Sequence, residues 1–137
     1  MIRKLWLRIR EPRVEKMIYF IVYLGVVILA AATSLNPPMT ISDPLGPVLT
    51  VTWVVLWVFS ALIGACSVFS GWWAAERIGL WLGLLGVLIY SSVVVALHIT
   101  GGGSRLAQLT VLWIAAAFYG VRLHRIWGYD FEPRHQP

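Results

Sequence analysis

Charge is scarce in this chain. Asp, Glu, Lys and Arg make up 12% of its 137 residues, against 59% hydrophobic ones. A water-facing domain carries about 25% charged residues, so an ordinary soluble fold is excluded, as are a disordered chain and a charge-laced coiled coil. Cysteine is scarcer still, since Cys66 stands alone. One thiol makes no intrachain disulfide and supplies no paired-cysteine metal spacing. Catalytic patterns are missing too: there is no HExxH, no P-loop and no pair of carboxylates set to share a pocket. The run Gly101-Gly102-Gly103-Ser104 lacks the GxxxxGK[ST] spacing and reads as a loop. An enzyme is therefore not expected, and neither is a cofactor or a metal.

What the chain has is four long apolar blocks. They cover about residues 17–35, 48–69, 78–99 and 106–126. Nineteen residues at about 1.5 Å each reach close to the ~30 Å hydrocarbon core of a bilayer. The links hold turn residues, among them Asn36-Pro37-Pro38, Asp43-Pro44 and Gly46-Pro47. Lipid leaves helices or closed barrels as the only spanning structures, and no strand alternation is present. The expected fold is an all-α integral membrane protein, an antiparallel four-helix transmembrane bundle. It has three parts: a basic segment 1–16, the bundle 17–126 and a short polar tail 127–137.

The net charge of +5 is distributed unevenly. Six of the eleven Lys and Arg residues fall in the first sixteen positions. With the N-terminus inside, the inner side collects ten of the eleven, and the outer side only Arg105. This positive-inside bias implies a multi-pass membrane protein with both termini cytoplasmic. Ile2, Leu5, Trp6 and Ile9 share one helical face, with Arg3, Lys4, Arg8 and Arg10 off it. That pattern predicts an amphipathic helix lying on anionic headgroups, ended at Glu11-Pro12. Trp72, Trp73 and Trp127 are expected at the same interface, and Trp53 and His98 near the opposite one. Beside a hydrophobic block such a basic cluster is a lipid and topology signal, and nucleic acid is not an expected partner. A cleaved signal peptide is disfavoured, because the first apolar stretch exceeds the usual ~7–15 residue core.

Few polar residues interrupt the blocks, and none of the expected spans holds an ionisable group in its hydrocarbon part. Pumps and coupled transporters place such groups there, so those classes are disfavoured. His98 is the one candidate polar switch, although a lone histidine at a span end is more often interfacial. Glu76-Arg77 reads as an interfacial ion pair, a docking contact for the N-terminal cations or a solvated turn. Ser60, Ser67, Ser91, Ser92, Gln108 and Thr110 are too scattered to line a wet stripe and are expected to hydrogen-bond between helices. Small residues at four-residue spacing mark helix packing: Ser60 with Gly64, Gly79 with Gly83 and then Gly86, and Ala116 with Gly120. These faces serve packing within the chain, self-association between copies, or both.

Three segments carry a resemblance: Glu11-Pro12-Arg13-Val14-Glu15-Lys16, Asn36-Pro37-Pro38-Met39-Thr40-Ile41 and Leu45-Gly46-Pro47-Val48-Leu49-Thr50. Two more flank the third apolar block: Gly71-Trp72-Trp73-Ala74-Ala75-Glu76-Arg77 and His98-Ile99-Thr100-Gly101-Gly102-Gly103-Ser104-Arg105-Leu106. In these residues the whole chain resembles a group of small four-span membrane proteins encoded by phages of actinobacteria. The resemblance specifies a lineage more than an activity. Members are mostly described only as membrane proteins, and some are regarded as holins. It implies a holin-like protein that self-associates in the host inner membrane and permeabilises or depolarises it for lysis. The alternative is a non-lytic phage membrane protein that binds a host or phage membrane component, for example to exclude superinfecting phage.

Overall fold

The computed structural model describes residues 13–35, 39–101 and 104–131. It is all-helical, with no named strand among the described residues. The expected basic N-terminal helix, with Arg3, Lys4, Trp6, Arg8 and Arg10, lies outside them. Four helices follow in order: α1 (Arg13–Leu35), α2 (Met39–Ser70), α3 (Trp73–Thr100) and α4 (Leu106–Arg125). Each is long and apolar enough to cross a membrane, α2 through its Leu45–Ser70 part.

The helices run further than the apolar blocks. Residues 39–44 continue the helical run instead of forming a link, and α2 bends at Gly46, where φ is +69°. An L side chain seldom adopts that backbone, so glycine permits the kink. Thr50 caps the bend by donating to Gly46 O at 2.8 Å. The link between α2 and α3 shrinks to Gly71 and Trp72, with Gly71 at φ +70°. The start of α3 therefore includes Glu76 and Arg77, and α1 includes Glu15 and Lys16.

Burial follows the helical repeat. On α1 the covered stripe is Lys16, Tyr19, Tyr23, Val26, Ala30 and Thr33, alternating steps of three and four. α2 packs against α1 and α3, and α3 packs against α4. Phe20 near the start of α1 meets Phe69 near the end of α2, with ring centroids 5.0 Å apart. Small residues make the close approaches. A Cβ on Gly79 would sit 3.0 Å from the Ser60 carbonyl and 3.1 Å from the Gly64 amide. One on Gly83 would meet the Ser60 hydroxyl and the Tyr119 ring, and one on Gly86 the Trp57 indole. Gly64 abuts the Tyr23 ring. Ala116 packs at the edge of the core, whereas nothing approaches the Gly120 position.

Trp53 is buried, not directed at headgroups, and its indole N–H donates to Gly86 O at 2.9 Å. Of the scattered polar residues, Ser60 bonds across to Gly79 O at 2.7 Å and Gln108 to the Tyr90 hydroxyl at 3.0 Å. Ser67, Ser92 and Thr110 instead donate back to carbonyls of their own helices. That is the usual local resort of hydroxyls in a helix without a polar neighbour.

Gly79 faces backbone, which cannot rotate aside. Gly79→Val is expected to lower unfolding stability in detergent by about 1–3 kcal/mol through overpacking. Gly25→Ala and Gly120→Ala face open space and are expected to leave it unchanged or raise it, since alanine favours a helix by about 1 kcal/mol over glycine.

Candidate functional site

One end of the bundle gathers charge that composition gave little reason to expect. Glu76 and Arg122 are 0% and 3% exposed. They form a bidentate pair: Arg122 Nε donates to Glu76 Oε1 and Nη2 to Oε2, both at 2.8 Å. The remaining Arg122 fork reaches Glu15 Oε1 at 3.0 Å. Glu15 Oε2 in turn pairs with Arg125. The Tyr23 hydroxyl donates to Glu76 Oε1 at 3.4 Å, and the Arg122 guanidinium lies 4.7 Å above the Tyr19 ring centroid. Lys16 is buried on the same stripe of α1. Helices α1, α3 and α4 each contribute, so the cluster ties three helices together.

Sequence proximity misdirected the reading of Glu76. Residues one apart on a helix do not face each other, and Glu76 pairs with Arg122, not with Arg77. Nor is it a solvated turn. Arg77 turns the other way and fastens residues 126–131. It reaches Asp130 Oδ1 at 2.6 Å, the Ile126 carbonyl at 3.3 Å and the Tyr129 carbonyl. Ala74 N–H donates to Asp130 O at 3.0 Å, and Trp72 and Phe131 form an isolated antiparallel bridge. Trp73 stacks edge-on to Tyr129 at 6.1 Å, while Trp72 and Trp127 are exposed beside them. His98 sits at the far end, where its Nδ1 accepts the Arg105 backbone N–H at 3.3 Å. It positions the start of α4.

Toward that far end, α1 and α4 separate. α4 is covered only near its C-terminus, at Tyr119, Arg122 and Leu123. Between the two helices lies an apolar cleft of about 820 Å³. Val26 and Leu29 form one wall, Val111 and Ala115 the other, and Trp57 is part of the floor. The Tyr19–Phe118 contact, 4.6 Å between centroids, closes it on the side of the charged cluster. Among the described residues, the buried Trp57 indole N–H at this floor finds no hydrogen-bond partner. No cluster of three His, Cys, Asp or Glu suited to a metal occurs among the described residues.

No family model, curated protein or solved structure matches the chain. The site is thus read from its own chemistry. A bidentate ion pair, one more carboxylate and a covering tyrosine form a clamp. Both Glu76 carboxylate oxygens are taken up by Arg122, and one of them also by Tyr23.

Removing one partner of a buried pair leaves an uncompensated charge. Arg122→Met and Glu76→Gln are each expected to cost about 3–5 kcal/mol of stability. The double variant is expected to cost clearly less than the two singles combined, in a thermal or denaturant unfolding cycle in detergent. Arg77→Ala is expected to free residues 126–131, read as faster exchange of the Ala74 amide.

Proposed function

We propose that the chain is an antiparallel four-helix bundle in a bacterial cytoplasmic membrane, with both termini in the cytosol, acting by contacts within the bilayer and not by catalysis. Two kinds of observation support this. The outward faces of all four helices are apolar, as at Ile28, Phe59, Leu88 and Ile114. Glu15, Glu76, Arg77, Arg122 and Arg125 gather at one end, while Arg105 lies at the other. Counting Lys and Arg alone, Arg77, Arg122 and Arg125 stand at one end against Arg105 at the other, the bias of a cytosolic face.

Of the two modes implied by the resemblance, the non-lytic one fits the geometry better. The observation carrying it is the covering of Ser60, Gly64, Gly79, Gly83 and Gly86 by neighbours in the same chain. Faces offered for self-association are thereby used within the protomer, and the buried polar side chains are clamped at one end instead of lining a passage. Such a bundle suits a membrane-bound binding protein, for example one that blocks a host component needed by a second phage. The holin-like reading rests on the notch of α4 at Gly120, which nothing fills and where a second copy can approach.

Regulated expression in a bacterial host separates the two. The non-lytic reading expects an unchanged membrane potential by a voltage-sensitive dye and reduced plating of a challenging phage. Abrupt depolarisation, abolished by Gly120→Leu, would establish the holin-like one. Recovery of the chain in the soluble fraction without detergent would remove both.

A further inference from the structure

The cleft between α1 and α4 has a length, a taper and a mouth that together specify an occupant. Its wall on α1 runs from Val22 to Thr33, roughly 16 Å of helix at ~1.5 Å per residue. That is about half of the ~30 Å hydrocarbon core, the depth of a single leaflet. The cleft ends blindly where Tyr19 meets Phe118. A transmembrane helix from a second copy cannot follow it across the bilayer, because the Tyr19–Phe118 contact and the Glu15–Arg122 pair bar the other half. A flexible chain one leaflet long can.

The volume of about 820 Å³ lies in the range of roughly 300–1,000 Å³ typical of pockets that enclose a small molecule. The deep walls are aliphatic and aromatic, whereas Thr33 and Gln108 stand toward the mouth. Arg105 immediately precedes α4 at that same end. Its backbone is held by His98, and its guanidinium makes no hydrogen bond or ion pair with the described residues. An apolar slot of leaflet depth with a guanidinium at the same end of α4 matches a fatty acyl chain below a phosphate. Guanidinium recognises phosphate oxygens through its planar fork.

We propose that the cleft is a binding site for a diacyl glycerophospholipid from the leaflet at the Arg105 end. One acyl chain lies between α1 and α4, and the phosphate rests against Arg105. This rests on the reading of the chain as membrane-embedded. The charged clamp at the opposite end holds the two helices together at the foot of the slot and leaves them apart at its mouth. The lipid completes the surface of α4, the least covered of the four helices.

The test uses the full chain in lipid nanodiscs containing phosphatidylglycerol with a photoactivatable diazirine in one acyl chain. Crosslinked peptides are mapped by mass spectrometry. Labelling is expected to concentrate several-fold on Val111, Ala115 and Val26 over the outward residues Leu85 and Leu88 of α3. Ala115→Trp, which fills the slot, is expected to abolish that excess. Arg105→Gln, a change outside the packed bundle, is expected to lower it several-fold while leaving the unfolding temperature unchanged. Even labelling of all outward faces would overturn the proposal, as would capture of a second protein copy across the cleft. If the chain integrates into the nanodisc and the cleft stays unlabelled, the lipid site alone falls. If it does not integrate, the membrane reading falls with it.

Discussion

A carboxylate and a guanidinium enclosed among apolar helices constrain the rest of this molecule. Glu76 and Arg122 are both almost fully buried, and each satisfies the other through two parallel hydrogen bonds. Separating them would leave a bare charge in a medium that solvates it poorly, so the ends of α3 and α4 move as one. Glu15 adds α1 to this unit through Arg122 and Arg125. Since α1 and α4 are not extensive packing neighbours, these polar contacts, with the Tyr19–Phe118 pair, are what joins them.

The bundle is accordingly asymmetric along its length. At the charged end, side chains from three helices interlock and residues 126–131 fold back onto the start of α3 under Arg77. One turn further along α3 from Glu76, α2 and α3 touch backbone to backbone across Gly79 and Ser60. At the other end α4 is tied to α3 through Gln108 and Tyr90, and the apolar cleft lies between α4 and α1. Close glycine packing and ionic clamping thus act at different heights. The first fixes a rigid α2–α3 core, and the second hangs α4 from it.

The apolar blocks and small-residue spacings were legible in the sequence because both are local properties of a helix. Hydropathy over about 20 residues reports a spanning helix whatever its neighbours are. The charged cluster was not legible in the same way. Glu76 and Arg122 are 46 residues apart, and Glu15 and Arg122 are 107 apart. Arg77, adjacent to Glu76, offered a nearer but misoriented partner. One available signal was the stripe Lys16, Tyr19, Tyr23, which places a cation and two hydroxyls on the covered face of α1. A polar stripe at the end of an apolar helix calls for partners on other helices, but hydropathy alone starts the span at residue 17 and leaves Lys16 outside it. The cleft is lined from all four helices, a tertiary outcome with no local sequence signature.

The Glu76–Arg122–Glu15 cluster holds α1 against α4. The most direct measurement is a pulsed electron spin resonance distance between labels at the exposed positions Val14 and Val121, with Cys66 replaced, in lipid nanodiscs. A narrow distribution is predicted for the otherwise native chain, and a longer, broader one when Arg122→Met is added. An equally narrow and unshifted distribution in that variant would show that packing alone holds α4 in place and would contradict the claim.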